Sequence, residues 1–376
     1  MTSPPVIDIE ALLVPLSADL PGGTNPRADG SATSLYYRIK DARNAARAAE
    51  RGALENDSGV PEEWEQVLSV SLQLLETQAK DLEVAAWLTE ALVRLEGFAG
   101  LRDGLTLIAR LVDTFWDGLF PEPDDDGLET KVGPVAGLSG SGAPGTLLQP
   151  VRTLPFTRGA TASYSLWHYE QAADLDKQTD QARRDARIAA GVITMAQFQQ
   201  SVKETAADEI HSVFEAVEGS LAALAAMAES FRKAAGNEAP SISALRDLLS
   251  QVAGTIRFVA ADKLAAASAA GEAAAEAVAI EAAEAGPADA PRAAGAPAPV
   301  RRTEGFASRD EALAELTKIA AYFRKTEPHS PLSYTIDEAV RRGRLSLPEL
   351  LVELAQDPTH IKHILLAAGI RDVPAG

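Results

Sequence analysis

The chain has 376 residues, a formal net charge of −19 and no cysteine. Disulfides, thiol catalysis and thiolate metal sites are therefore excluded, and the negative field repels phosphate backbones, which argues against nucleic-acid binding. Apolar residues make up 46% but aromatics only 5%, and the many alanines favour helix, so this length predicts two or three all-α domains.

No basic residue precedes Arg27 and no eighteen-residue apolar run occurs. Neither a signal peptide nor a membrane span is expected, and the expected location is cytoplasmic. Val6 to Leu13 reads as a short helix or arm, followed by a Pro/Gly/Asn loop through Gly30. Leu35 to Arg51 is a helix rich in Ala and Arg. Pro61, with Glu62 and Glu63 behind it, opens a helix carrying Trp64.

From Trp64 to Pro121 apolar residues recur at helical spacing through three segments. Leu82 to Leu95 is apolar on more than one side, as in a helix packed between neighbours. Leu101, Leu105, Ile108, Val112 and Phe115 share one helix face. Trp64, Trp87 and Trp116 mark a core. Pro121 to Gly145, rich in Asp and Gly, reads as a mobile or functional loop.

Leu175 to Ala190 reads as one charged helix stopped by Gly191. Thr194 caps a long helix whose stripe runs Met195, Phe198, Val202, Ile210, Val213, Val217, Leu221 and Leu224. Ser241 or Ser243 caps another, through Leu248, Val252 and Phe258. The texture then changes, and Gly286 to Val300 holds four prolines, the composition of a linker.

Four short helices follow. Ser308 and Glu311 form a capping box before Leu313, Leu316, Ala320 and Phe323, and Ser330–Pro331 opens a helix with Leu332, Ile336 and Val340. Ser346 and Glu349 open a third with Leu350, Leu351 and Leu354, and Asp357–Pro358 a fourth ending at Gly369. So small a unit gains buried area by associating, which makes Leu316, Phe323, Ile336, Leu350 and Leu354 the self-association candidates. The chain thus divides into a multi-helix N-terminal domain (1–165), a helical middle region (166–264), an Ala/Pro-rich linker (265–305) and a small helical C-terminal oligomerisation unit (306–376).

No motif for chemistry survives inspection. Gly140, Gly142 and Gly145 match a dinucleotide fingerprint in letters, but no strand precedes them and Pro144 sits inside. His360 and His363 have only Asp357 nearby as a further ligand, and Asp124 to Asp126 lack calcium-loop spacing. Ser139 and Ser141 form no nucleophile elbow. Trp167, His168 and Tyr169 are expected to anchor the chain on the core. Arg183, Arg184 and Arg187 among Asp174, Asp176, Asp180 and Asp185 read as a salt-bridged surface. No catalytic residue, cofactor or metal is expected.

Lys80-Asp81-Leu82, Trp87-Leu88-Thr89, Leu95-Glu96-Gly97 and Phe115-Trp116-Asp117 with Pro121 occur in order, between Pro15–Arg27 and a Leu-Gln-Pro-Val-Arg segment centred on Gln149. Together they resemble the ImpA-type N-terminal domain of the TssA family of type VI secretion. Gly22-Gly23-Thr24-Asn25 stands where that family often has Cys-Gly-Glu-Asp, and Lys131 where an arginine is usual. Residues 327–354, with Arg341 and Arg342, resemble a C-terminal TssA segment. The resemblance implies a non-enzymatic assembly protein that contacts baseplate, sheath and inner-tube proteins and forms a ring through its C-terminal region. A soluble helical enzyme or nucleotide-binding regulator, and a generic helical adaptor, are the alternatives.

Overall fold

The computed structural model describes residues 4–53, 59–125, 127–140, 142–267, 309–326 and 332–345. The chain falls into two units, Met1–Pro287 and Ala288–Gly376. Among the described residues all regular structure is helical, and extended backbone meets only in isolated bridges such as Gly23–Ala79 and Asp81–Phe120.

In the first unit, α1 (Ile9–Leu12), α2 (Leu35–Ala53) and α3 (Glu63–Thr77) lead into α4 (Leu82–Phe115). At Gly97 the backbone leaves helical space with φ 62° and ψ −138°. Glycine reaches such a conformation without the Cβ penalty other residues meet. The two arms of α4, residues 82–96 and 98–115, fold back on one another there. A Cβ built on Gly104 would lie 2.6 Å from Thr89 Oγ1, whereas in a straight helix those residues stand about 22 Å apart. The separate periodic segments of the sequence are thus the arms of one hairpin. Leu82, Leu88, Leu92, Leu101, Leu105 and Leu111 are fully buried within it.

The chain continues through α5 (Glu129–Ser139), α6 (Leu148–Thr153), α7 (Leu166–Lys177), α8 (Gln181–Ala189), α9 (Met195–Glu204), α10 (Ala207–Ala235) and α11 (Ser243–Val259), with a further helical stretch at 261–267. α10 runs along the second arm of α4. Ser220 Oγ lies 3.0 Å from the Phe98 carbonyl, and Phe231 meets Trp116 edge-on at 6.2 Å. By length and composition α10 lies within a stretch able to cross a membrane, Ala207–Glu238, of mean hydropathy 1.2. Here its apolar residues Val217, Leu224 and Phe231 are buried in the core. Packing is continuous across residue 165, since Phe156 and Tyr164 contact Phe198 of α9.

Three sequence expectations change. The region 121–145 is not merely a loop: α5 buries Lys131, Val132, Val135 and Leu138, although Gly133 and Pro134 read as breakers. The charged stretch 175–190 is two helices, parted at Gln178 and restarted by Asp180, whose carboxylate accepts the Arg183 N–H. The stripe from Met195 to Leu224 is also two helices. Thr205 is extended between them, and its hydroxyl donates to Ser201 O at 2.7 Å and accepts the Arg158 N–H at 2.7 Å. The Thr194 cap is present as a capping box with Gln197.

In the second unit, α12 (Arg309–Thr326) packs on α13 (Leu332–Gly343), burying Ala320, Ser333 and Val340, with an ion pair between Arg324 and Asp337. The linker from 268, the Ser308–Glu311 capping box, the two helices expected beyond 345, and with them Leu350, Leu354, His360 and His363, lie outside the described residues or side chains.

Candidate functional site: a charge clamp at helix ends

Every helix end leaves backbone donors or acceptors unpaired. In the first unit, two motif lysines and a motif aspartate meet that need where α1, α3, α4 and α5 converge. Lys80 is buried, and its ammonium donates to Leu12 O at 2.7 Å and Leu75 O at 2.8 Å. Those carbonyls lie at the C-terminal ends of α1 and α3, where the helix dipole favours a cation. Phe115 closes the site, its ring centroid 5.7 Å from the ammonium. Burial pushes the Lys80 ammonium below its ordinary pKa.

Asp81 is the N-cap of α4, accepting the Glu83 and Val84 N–H groups at 2.9 and 3.0 Å. Arg27 reaches it from the preceding loop, with Nη1 2.6 Å from Asp81 Oδ2 and Nη2 2.6 Å from Glu83 Oε2. The Tyr36 hydroxyl donates to the same Glu83 oxygen at 2.8 Å. Lys131, in the first turn of α5, donates to Trp116 O at 2.7 Å and so caps the C-terminal end of α4. Its ammonium stands 4.7 Å from the Trp116 ring, and burial lowers its pKa too.

The loop that carries Gly22 and Gly23 approaches the end of α4 closely. Lys80 N–H donates to Gly22 O at 2.8 Å, and a Cβ at Gly22 would fall 2.1 Å from Gly118 O. Gly23 has φ +83°. No side chain fits at Gly22 in this arrangement.

A second ionic layer binds α2 to the first arm of α4. Arg43 grips Glu90 with Nε and Nη2 at 2.6 and 2.9 Å. Glu90 is only 1% exposed. Burial pushes its carboxyl up, but the Arg43 hydrogen bonds and charge outweigh burial and hold it below the usual range. Glu50 accepts the Trp64 indole N–H at 2.8 Å and pairs with Arg94, whose guanidinium covers the Trp64 ring at 4.1 Å.

The motif residues are thus gathered in one unit, all in structural positions. Trp64, Lys80, Asp81, Trp87 and Leu88 are buried, as is Pro121 after a cis peptide bond; Gly97 makes the hairpin, and Trp116 is half-buried. The sequence did not indicate Arg27, Tyr36, Arg43, Glu50, Glu83 or Arg94. Glu90, a lone carboxylate within an apolar run, was the one readable signal. Of the self-association candidates, Leu316 is exposed while Phe323 and Ile336 are half-buried. The aromatic trio divides: Tyr169 packs near Phe198, His168 completes the cap of α7 with Ser165, and Trp167 is 41% exposed. The arginine cluster is paired as expected, Arg183 with Asp180 and Arg184 with Asp176.

This arrangement locks helix ends, and its charges are committed to one another or to carbonyls. Among the described residues no group of acids and histidines could hold a metal. Gly140 follows α5 and not a strand, and Ser139 Oγ accepts the Leu245 N–H at 3.3 Å in α11.

A family described as ImpA, N-terminal, type VI secretion system, matches residues 13–140. Residues 13–140 thus carry the likeness to the ImpA N-terminal region of type VI secretion, and two TssA components resemble the chain over a longer span. It is similar along its length to the type VI secretion system component TssA1 of Pseudomonas aeruginosa, with 28% identity covering 94% of this chain and 96% of that protein. It also resembles the N-terminal domain, including the ImpA_N region, of the TssA component of Burkholderia cenocepacia. That likeness has a TM-score of 0.58 and 29% identity, covering 68% of this chain and 94% of the other. So long a span exceeds residues 13–140, so the likeness takes in helices beyond α5.

Proposed function

We propose that this chain is a TssA-type, non-enzymatic assembly component of a type VI secretion machine, working in the cytoplasm. In this reading it organises the baseplate, sheath and inner tube, and residues 306–376 associate into a ring. The observation that carries it is the full-length likeness to a secretion component. The motif side chains agree with it, being spent on joining helix ends rather than on facing a substrate. Exposed Leu316, Ile319, Tyr322 and Tyr334 in the second unit support the site of association. Flexible tethering of one part to an assembled other would raise its effective concentration at repeated partner sites.

The test is deletion of residues 306–376. Light scattering should show the truncated chain at monomer mass, and cells carrying it should lose secretion. Retention of the full-length assembly mass would place association elsewhere. An unchanged secretion level would sink the role.

A further inference from the structure

Apart from its paired cations, the first unit carries a basic stripe that nothing in the fold uses. α2 reads LYYRIKDARNAARAAERGA, with five basic residues against two acidic ones. Arg43 and Glu50 turn inward to Glu90 and Arg94. Lys40, Arg47 and Arg51 recur at i, i+7 and i+11, with Asn44 between, which lays them along one side of the helix over about 16 Å. Lys40 and Arg51 are exposed and Arg47 half-exposed. Among the described residues none of the three has a carboxylate partner; Lys40 lies 5.8 Å from the Tyr37 ring.

This is unusual for the molecule. Most other surface arginines of the first unit find carboxylates, as Arg110 with Glu10, Arg183 with Asp180, Arg232 with Glu229 and Arg257 with Glu218, and exposed cations that do not, such as Arg38 and Lys203, stand singly and not in a row. The chain holds 54 acidic residues, so partners are abundant. Arg47 and Arg51 also stand at the i, i+4 spacing where like charges repel, and a carboxylate at either position would favour the helix. Folding alone does not account for the stripe, but an external anion would.

We infer that the Lys40–Arg47–Arg51 side of α2 docks an acidic helical segment of another protein, its carboxylates spaced to face the three cations. Phosphate polymers and anionic membranes are disfavoured as occupants because the chain as a whole carries −19 and repels an extended anion. A short acidic helix meets only the local positive field, and complementary charge steers its encounter. The inference stands on charge and spacing alone, so its failure leaves the assembly role untouched.

The test uses the full chain and a fluorescein-labelled Ala/Glu helical peptide of about 15 residues with glutamates on one face. Anisotropy should show binding that weakens as salt rises. The triple variant Lys40→Gln/Arg47→Gln/Arg51→Gln should bind about tenfold more weakly. Its melting should be unchanged, since these side chains make no internal ion pair. Should it melt early, Arg47→Gln alone should still weaken binding about two- to threefold. A control with the same charge change, Arg183→Gln/Arg232→Gln/Arg257→Gln, should leave binding within about twofold. Equal weakening by the control would overturn the inference. So would binding of heparin or phosphatidylserine vesicles without binding of the peptide, or a changed mass of the chain itself in the triple variant, which would make a second copy the occupant.

Discussion

The first unit buries most of its large apolar side chains, Phe258, Leu20 and Trp167 being among the exceptions, whereas the described part of the second leaves most of its own in water. Trp64 is fully buried and Trp87 is 6% exposed, while Leu316, Ile319, Tyr322 and Tyr334 are 37, 43, 63 and 66% exposed. The first unit has the long hairpin of α4 to close around, with helices on more than one side. In the second, α12 and α13 bury Ala320 and Val340 between them and little else among the described residues. Side chains of similar hydrophobicity therefore hold the fold in one region and stand exposed in the other.

The sharpest way to break that contrast is to truncate one side chain from each region. Trp64→Ala should destabilise the first unit by ~3–5 kcal/mol, since it removes a buried indole and strands Glu50 and Arg94 without it. Leu316→Ala should change unfolding by less than about 0.5 kcal/mol, as surface substitutions do. Urea denaturation of each variant measures both. A large loss for Leu316→Ala in a dilute, monomeric sample would show that this leucine is covered within its own chain.

A middle-sized effect tests the clamp. Lys80→Met keeps the length and apolar stem but leaves Leu12 O and Leu75 O without their donor, at about 1–3 kcal/mol. The pH dependence gives a second reading. Because burial lowers the Lys80 pKa in the folded state, the unfolded chain binds more protons between that lowered value and the ordinary 10.5. Stability from this group is therefore least at low pH and rises with pH through that window. The deficit of Lys80→Met should grow as pH rises toward 10.5, and a constant deficit would show that Lys80 keeps an ordinary pKa.

These residues also show what the sequence made legible. Helical period placed the arms of α4, because Leu101, Leu105, Ile108, Val112 and Phe115 answer to one face. The Thr194 cap was local, its partner Gln197 three residues away. The clamp was not local. Lys80 meets a carbonyl 68 residues earlier, and Arg43 a carboxylate 47 residues later, so no window reveals either. α5 was hidden by Gly133 and Pro134, which break helices by propensity but are overridden where Val132, Val135 and Leu138 have a core to enter. The division of the Met195–Leu224 stripe at Thr205 was hidden for a related reason. Its cause is a hydroxyl bonded to Arg158 N–H, 47 residues away.

The smallest effect concerns the hairpin bend itself. A Cβ on Gly97 would meet nothing within 4 Å, so substitution there creates no clash. What it costs is conformational, because φ 62° lies in the left-handed region that L side chains avoid. Gly97→Ala should therefore destabilise the first unit by about 1–2 kcal/mol. Gly97→Asn should cost about as much as Gly97→Ala, since asparagine's tolerance of positive φ is for ψ of roughly +30 to +60° and not for the −138° found here. The two variants separate backbone strain from packing, because the larger side chain should be tolerated no worse. Equal thermal melting of the two would confirm that Gly97 is present for its backbone. If asparagine proved worse than alanine, size would be the limit, and the bend would be more tightly covered than its open Cβ position indicates.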